Sequence, residues 1–198
     1  MLSPDKALIR LMDGNKRFAN GESIHPNLGK ELRESLINDQ KPYAAIVACS
    51  DSRVPIEIIF DAGLGDLFVI RTAGHVPSKE SLGSLEYAVK ELGVKLVMIL
   101  GHDNCGAVKT AMKVYETQSF DELSENLQTL LSHIYPVLDN LDLSCSDALD
   151  KAVDANIRYQ IADLLKRDPY LEEKVKQKEI ILVGAKYNLN NGEIEVFE

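Results

Sequence analysis

Two short apolar runs constrain the fold of this chain more than any other feature. Residues 44–48 are Ala-Ala-Ile-Val-Ala, and residues 95–100 are Lys-Leu-Val-Met-Ile-Leu, so Lys95 is their only polar side chain. Runs of this length and composition are typical of parallel strands that are buried on both faces of a sheet. Such sheets occur in α/β proteins, in which helices cover both faces.

Three further segments complete the predicted sheet. Residues 67–70 and 179–185 are predicted to be buried strands, and residues 193–197 follow an Asn-Asn-Gly hairpin turn as an antiparallel edge strand. We therefore expect an α/β fold with a mostly parallel central sheet of four strands plus an antiparallel edge strand, flanked by helices. No repeat or linker divides the chain, so residues 1–198 are expected to form one domain.

Helices are predicted before and between these strands. Ser3-Pro4 and the apolar residues up to Phe18 indicate a capped amphipathic helix, and a second helix is expected over residues 29–38. Because both precede the first strand, residues 1–40 are interpreted as a helical arm that packs on a partner subunit, with residues 41–198 as the α/β core. Later helices are predicted over residues 55–60, 81–92, 106–115 and 146–166, with a surface helix and loops over residues 118–143.

Charge and composition exclude several classes of partner. The chain has 22 Lys and Arg against 31 Asp and Glu, a net charge of −9, whereas nucleic acids and anionic membranes bind basic surfaces. No apolar run approaches the length that spans a bilayer, and the first 18 residues lack the hydrophobic core of a signal peptide. With three cysteines, these features predict a cytoplasmic protein whose thiols stay reduced.

Two of the apolar runs end at residues that can bind metal. Cys49 directly follows residues 44–48, and His102 and Cys105 follow residues 95–100. If the two strands are adjacent, their carboxyl ends meet at one edge of the sheet, where α/β proteins collect ligands. Two thiolates and one imidazole suit Zn²⁺, and three protein ligands leave the fourth position open, as in catalytic zinc sites. The sequence thus predicts a catalytic zinc centre with one Zn²⁺ per chain.

Each of these residues has a simpler interpretation when it is taken alone. A cysteine after an apolar run is most often a small buried residue, and a His-x-x-Cys pattern also arises by chance. The combination favours the metal site. Cys145, the third cysteine, lies in a polar segment without a motif and is interpreted as a free thiol.

Several longer motifs resemble the β-class carbonic anhydrases, in the same order and over most of the chain. Gly14-Asn15-Lys16-Arg17-Phe18 resembles that family's N-terminal GNxRF segment, and Gln40 stands nine residues before Cys49, as the family's active-site glutamine does. The remaining matches are CSDSRVP at residues 49–55, FDAGLGDLFVIRTAG at 60–74, SLEYAV at 84–89, GHDNCGAV at 101–108 and VGAKYNLNNGEIE at 183–195.

The resemblance implies reversible hydration of CO₂ to bicarbonate and a proton, with zinc held by Cys49, His102 and Cys105. Zinc lowers the pKa of a bound water from about 16 towards roughly 7, which makes hydroxide available at neutral pH. Two thiolates cancel the formal charge of Zn²⁺, however, and leave a weaker Lewis acid than three imidazoles would. We therefore expect further groups to tune the water.

Asp51 and Arg53 are the candidates for that catalytic role. A carboxylate two residues from Cys49 can accept a hydrogen bond from zinc-bound hydroxide, and a bidentate pair with Arg53 would keep it ionised. The alternative is that Asp51 caps the following helix and Arg53 makes a surface ion pair. Their place beside a zinc cysteine favours the catalytic interpretation.

Four other residues are expected to bind the substrate. Gln40 can donate a hydrogen bond to an oxygen of CO₂ or bicarbonate, and the backbone N–H of Gly106 at a helix start can support the same anion. The resemblance places Phe68 and Tyr87 in a small apolar pocket that a dimer interface would complete. Without the resemblance, Phe68 and Tyr87 would be interpreted as core residues and Gln40 as polar surface.

Two positions depart from the family pattern. His75 stands where many relatives have Asn, which would change local hydrogen bonding and proton transfer; it could also be an ordinary surface histidine, as we assume for His25 and His133. The subgroup with a bicarbonate-regulated closed site has Trp where this chain has Ile46, and the chain contains no Trp. A noncatalytic bicarbonate pocket is therefore not expected.

Two alternative functions stay open. A carbonyl sulfide or carbon disulfide hydrolase on the same fold would use the same zinc hydroxide, and a zinc-stabilised regulatory module would have no turnover. The presence of Asp51, Arg53 and Gln40 argues against the second, since a purely structural site does not need them. The resemblance also implies a homodimer or homotetramer.

Overall fold

A computed structural model describes residues 2–197, which contain a five-stranded sheet between two layers of helices. The strand order is β2-β1-β3-β4-β5; β5 is antiparallel to β4, and all other neighbouring strands are parallel. The predicted fold class is therefore confirmed. The strands are β1 (Ala44–Cys49), β2 (Leu67–Thr72), β3 (Leu96–His102), β4 (Ile181–Tyr187) and β5 (Ile194–Phe197).

The helices lie before and between the parallel strands along the chain. Within residues 2–197, none of them is both long enough and apolar enough to cross a bilayer. The helices are α1 (Pro4–Ala19), α2 (Lys30–Ser35), α3 (Ile56–Ile59), α4 (Lys79–Lys90), α5 (Gly106–Thr117), α6 (Glu125–Ser132), α7 (Tyr135–Leu138), α8 (Ala148–Arg167) and α9 (Pro169–Lys176), with 3-10 turns at Ala73–His75 and Phe120–Glu122.

The alternation of side chains along β1 builds a core on each face of the sheet. Ala45, Val47 and Cys49 belong to the core beneath α4, α5 and α8, whereas Ile46 and Ala48 belong to the core beneath α1 and α3. All six residues of β1 are buried, as expected of a strand covered on both faces.

The central position of β1 brings the predicted ligands to one edge of the sheet. β1 pairs with β2 on one side and with β3 on the other, so the connections from these neighbouring strands diverge at their carboxyl ends. Such a switch point is the usual ligand site of an open α/β sheet. Cys49 ends β1 and His102 ends β3, as the sequence predicted for adjacent strands.

The first helix packs on its own chain. Ala7 and Leu11 are fully buried in the core with β1 and β3, and a Cβ atom at Gly14 would lie only 1.9 Å from the Phe60 carbonyl oxygen. The buried Asn15 side chain donates to the carbonyl oxygens of Ile59 (3.1 Å) and Gly192 (2.8 Å) and accepts from the Ile194 N–H (2.9 Å). The inner face of α1 therefore serves the fold of this chain.

The second helix differs from α1. It covers only Lys30–Ser35, shorter than the predicted 29–38, and none of its residues is buried. Ile24, Leu28 and Ile37, which flank it, are among the most exposed large apolar side chains. This part of the arm is where packing on a partner subunit stays a prediction.

One of the later predictions is wrong in part, and one helix was not predicted. The segment 118–143 is not only surface, because Leu131, Ile134, Val137 and Leu138 are buried in the core beneath α8. The helices of this segment, α6 and α7, cover only eight and four residues, too few for their apolar positions to show a clear helical period. Helix α9 was not predicted; it follows α8 directly and begins at Pro169, since proline suits the first helical position.

Candidate metal centre

Three possible ligand atoms converge at the carboxyl edge of the sheet. Cys49 ends β1, His102 ends β3, and Cys105 is the residue from which α5 begins. One ligand atom from each lies within 4.8 Å of the other two, and the two sulfur atoms are 4.0 Å apart. Two sulfurs bound tetrahedrally at about 2.3 Å from Zn²⁺ would be roughly 3.8 Å apart, so this spacing fits a zinc ion.

The imidazole of His102 is oriented for metal binding. Its Nδ1 lies 2.8 Å from the Asp103 carbonyl oxygen, which can only accept, so Nδ1 carries the proton. Nε2 then has a free lone pair, and it is buried without a hydrogen-bond partner among the described residues. A backbone carbonyl that fixes the ring in this way is common behind metal-binding histidines. The unpartnered Nε2 and the two sulfurs form a donor set that fits zinc.

The two thiols share a proton. A hydrogen bond from Cys105 lowers the pKa of Cys49 well below its ordinary value. The same hydrogen bond, together with burial, raises the pKa of Cys105 above its ordinary value. The metal-free pair is therefore one thiolate and one thiol, and a bound Zn²⁺ would displace the remaining proton.

Asp51 and Arg53 form a bidentate ion pair beside the three ligands. Arg53 donates from Nε to Asp51 Oδ1 at 2.9 Å and from Nη2 to Oδ2 at 2.7 Å. These bonds hold the pKa of Asp51 far below its usual range. Asp51 Oδ2 lies 3.8 Å from His102 Nε2, so the carboxylate faces the ligand cluster. Asp51 does not cap the next helix, because α3 begins at Ile56 without a side-chain cap.

A second arginine, which the sequence analysis missed, fixes the loop that carries Cys49 and Asp51. Arg71 donates from Nε to the Cys49 carbonyl oxygen at 3.0 Å and from Nη2 to the Asp51 carbonyl oxygen at 2.7 Å. Arg71 lies within the matched stretch at residues 60–74, but its hydrogen-bond partners lie across the β1 and β2 pair and leave no pattern in the sequence. Arg71 therefore supports the site through backbone atoms.

The interpretation of His75 as a surface residue is wrong. The side chain is fully buried, and its Nε2 lies 2.9 Å from Asn156 Nδ2. Burial lowers its pKa to about 4, so the ring is neutral at physiological pH. A buried neutral ring without access to solvent does not suit proton transfer to bulk water. His25 is exposed and His133 is half-buried, close to what was assumed for them.

The residues proposed to bind substrate lie in two places. Gly106 is exposed at the start of α5, beside Cys105, and a Cβ atom there would meet nothing within 4 Å. Gln40 is exposed in the segment that leads into β1, at the strand end opposite Cys49. Since a strand rises about 3.3 Å per residue, the length of β1, roughly 16 Å, separates Gln40 from the cluster of its own chain.

Phe68 and Tyr87 also lie away from the cluster. Phe68 is aligned with Ala45 near the start of β1, and its ring centroid is 6.3 Å from that of Tyr87 on α4. Phe68 is half-buried and Tyr87 is 49% exposed, so neither is enclosed in the core. Within one chain, Gln40, Phe68 and Tyr87 do not meet Cys49, His102 and Cys105.

Comparisons with known proteins agree on one family. The family model described as carbonic anhydrase matches residues 44–194. The chain is 37% identical over 194 residues to a carbonic anhydrase of Mycolicibacterium smegmatis, covering 98% of this chain and 93% of the relative. It is also 37% identical over 193 residues to carbonic anhydrase 2 of Mycobacterium tuberculosis, covering 96% and 91%. The solved structure of the β-carbonic anhydrase CcaA superposes with a TM-score of 0.76 at 29% identity, covering 96% of this chain and 95% of that one.

Proposed function

The chain belongs to the β-class carbonic anhydrases, enzymes whose general reaction is CO₂ hydration, and we propose that it hydrates CO₂ reversibly to bicarbonate and a proton at one zinc ion. The observation that carries the proposal is the buried donor set of Cys49, His102 and Cys105 with an ionised carboxylate beside it. A metal site that only stabilised the fold would not need Asp51 to face the ligands.

In this proposal Cys49, His102 and Cys105 hold the zinc and leave one position for the reactants. When bound, Zn²⁺ acts as a Lewis acid that makes hydroxide available near neutral pH. Asp51 would accept a hydrogen bond from the attacking oxygen and so orient it towards CO₂. Arg53 keeps Asp51 ionised and occupies both of its oxygens, which holds the carboxylate in the orienting role.

The substrate pocket in this proposal comes from two chains. Gly106 would support the bicarbonate oxygen from the same chain as the ligands. Gln40, Phe68 and Tyr87 would come from a partner subunit, because in one chain they are separated from the cluster by the length of β1. The exposed Ile24, Leu28 and Ile37 of the arm favour a homodimer or a homotetramer built from such dimers.

The chemistry of the ligands also favours a reducing compartment. Two cysteines 4.0 Å apart can bind zinc only while both are reduced. We propose the cytoplasm, where thiols are kept in that state.

A stopped-flow assay of CO₂ hydration tests the function. The purified protein should turn over, lose activity when a strong chelator removes the metal, and regain it when Zn²⁺ is returned. A parallel assay with carbonyl sulfide decides between the two substrates. Full turnover in protein shown to be free of metal would contradict the zinc mechanism.

Cysteine variants test the ligand set. Cys49→Ser should lose both zinc and nearly all activity, because a hydroxyl is a poor substitute for a thiolate ligand. Cys145→Ser is the matched control, since Cys145 lies outside the cluster, and it should change neither. Metal content by elemental analysis beside the assay separates loss of metal from loss of folding. Retention of tightly bound zinc by Cys49→Ser would overturn the assignment.

A further inference from the structure

The turn at Ala73–His75 presents a backbone donor to one of the proposed ligands. The Gly74 N–H lies 3.4 Å from Cys49 Sγ, within hydrogen-bond distance for sulfur. Two successive residues of this turn have left-handed backbone angles, with φ of 67° at Gly74 and 49° at His75. A left-handed residue other than glycine is unfavourable, so other contacts must hold the turn in place.

Asn156 of α8 supplies those contacts. Its Nδ2 donates to the Gly74 carbonyl oxygen at 3.1 Å and lies 2.9 Å from His75 Nε2. A carbonyl oxygen can only accept, so the atom that faces the turn is the NH₂ group of Asn156. Its second hydrogen then goes to His75 Nε2. The amide group of Asn156 thus makes hydrogen bonds to both left-handed residues of the turn.

The orientation of Asn156 is itself fixed by the next turn of α8. Gln160 donates from Nε2 to the His133 carbonyl oxygen at 3.0 Å and to Asn156 Oδ1 at 3.0 Å. Because Asn156 Oδ1 accepts this bond, the amide cannot flip without losing partners at both ends. His75, Asn156 and Gln160 are all fully buried, where an unpaired polar group is costly.

From this network we infer that Asn156, oriented by Gln160, is a positioning residue of the metal centre that holds the Gly74 N–H against Cys49 Sγ. The inference rests on the proposed zinc site. A hydrogen bond to a thiolate draws electron density from the sulfur, so the metal keeps more of its positive charge. This matters here because two thiolates already cancel the formal charge of Zn²⁺.

Cobalt substitution makes the sulfur environment visible. Thiolate ligands give Co²⁺ charge-transfer bands, whose energy falls when the sulfur becomes richer in electrons. We expect Asn156→Leu, which has similar size and no donor, to shift these bands to longer wavelength and to lower kcat several-fold with a smaller change in KM. Asn156→Asp keeps the acceptor towards Gln160 but replaces the donor, and we expect it to shift the bands in the same direction.

A matched variant separates the proposed positioning effect of Asn156 from a general loss of stability. Leu164 is also fully buried on α8, two turns further along, and it packs with Leu85 and Val97 away from the turn. Leu164→Ala should lower the thermal midpoint and leave the cobalt bands unchanged. Spectra recorded below the thermal midpoint of every variant compare folded proteins only.

The outcomes distinguish this inference from the proposed function. Wild-type protein that binds Co²⁺ and hydrates CO₂, with cobalt bands unchanged in Asn156→Leu and Asn156→Asp, would overturn the positioning role alone. Equal shifts in Leu164→Ala would overturn it as well, because the bands would then report general loosening. Wild-type protein that binds neither Zn²⁺ nor Co²⁺ would overturn both.

Discussion

At the scale of single residues, Arg53 decides what Asp51 can do. Its guanidinium occupies both carboxylate oxygens, of which Oδ2 is already within 3.8 Å of His102 Nε2. We predict that Arg53→Ala frees the carboxylate to approach the metal position, so CO₂ hydration falls severely while zinc content stays at the wild-type level. Stopped-flow turnover and elemental analysis on the same samples measure both quantities.

The comparison with lysine sharpens this prediction. Arg53→Lys keeps the charge but replaces the planar fork by a single ammonium, so its activity should lie between those of the wild type and Arg53→Ala. Wild-type turnover in Arg53→Ala from neutral to alkaline pH would show that Asp51 needs no such restraint.

His75 predicts a pH dependence of stability. Burial lowers its pKa to about 4, against about 6.5 in the unfolded chain, so the unfolded state binds the extra proton between these values. The free energy of unfolding therefore falls as the pH is lowered through this window. Between pH 7 and pH 5, this contribution amounts to about 2 kcal/mol.

Urea denaturation at the two pH values measures the effect. His75→Asn has no titrating ring and keeps a residue that tolerates left-handed angles, so its loss of stability from pH 7 to pH 5 should be smaller by about 2 kcal/mol. His25→Asn is the control, because His25 is exposed, and it should lose as much as the wild type does. An equal loss of stability from pH 7 to pH 5 in all three proteins would mean that the buried His75 ring is not the source of the pH dependence.

At the scale of elements, one buried carboxylate joins α1 to α3. Asp61 follows α3 and accepts hydrogen bonds from Arg17 Nε (2.6 Å), Ile24 N (3.1 Å) and His25 N (2.9 Å). Its side chain is fully buried, so removing it leaves a charged guanidinium and two N–H groups without their acceptor. We predict that Asp61→Ala lowers the free energy of unfolding by about 3 kcal/mol.

Two variants test the role of Asp61. Asp61→Asn keeps the shape but turns one carboxylate oxygen into a donor that faces other donors, so urea denaturation should show it to be destabilised as well. Asp39→Ala removes an exposed carboxylate whose partner, Lys41, is also exposed, and it should have no measurable effect. Wild-type stability of Asp61→Ala would mean that the apolar face of α1 and the hydrogen bonds of Asn15 hold the helix without this ion pair.

The strands were predictable from the sequence, whereas some helices were not. A buried parallel strand is visible in the sequence as a local apolar run. The predicted ends of the strands differ from the observed ends by no more than two residues. The segment 118–143 was misjudged because its helices α6 and α7 are too short to show a helical period, although they contain buried residues such as Leu131 and Val137. Helix α9 was missed although Asp168 as N-cap and Pro169 at the first helical position are local signals of a helix start.

The same contrast applies to the candidate site. Cys49, His102 and Cys105 belong to short motifs, each at the end of an apolar run, so pattern and spacing were enough to group them. Arg71 and Asn156 act through hydrogen bonds to distant backbone atoms, 22 and 82 residues away. Such partners are created by the fold, and a single sequence carries no sign of them.

At the scale of the whole molecule, the proposed site needs two chains. Gln40 precedes the start of β1, whereas Cys49 ends that strand. In the proposed site, the Gln40 that approaches a metal centre therefore belongs to the partner subunit. A shared site of this kind makes each dimer carry two sites, each with ligands from one chain and Gln40 from the other.

Mixing two inactive variants tests the shared site. Cys49→Ser lacks a ligand and Gln40→Ala lacks the proposed amide donor, so each alone should be nearly inactive. A mixed dimer has one site with the ligands of the Gln40→Ala chain and the amide of the Cys49→Ser chain. Since half of randomly paired dimers are mixed, co-refolding should restore about a quarter of wild-type activity.

Controls make the mixing experiment decisive. Light scattering should give a dimer or a multiple of it, for the mixture and for each variant. Mixing without refolding should restore nothing as long as subunits do not exchange. A co-refolded mixture that stays inactive, or a fully active monomer, would place all of the catalytic groups within one chain.

The hydrogen bonds of Asn15 also have a consequence for how the chain folds. Two of its partners, Gly192 and Ile194, lie 177 and 179 residues further along, so this contact closes almost the entire sequence into a loop. Contacts of such separation form slowly and late. The hydrogen bonds of Asn15 to Gly192 and Ile194 therefore form only after the hairpin between β4 and β5 has folded, so α1 gains its last contacts late in folding.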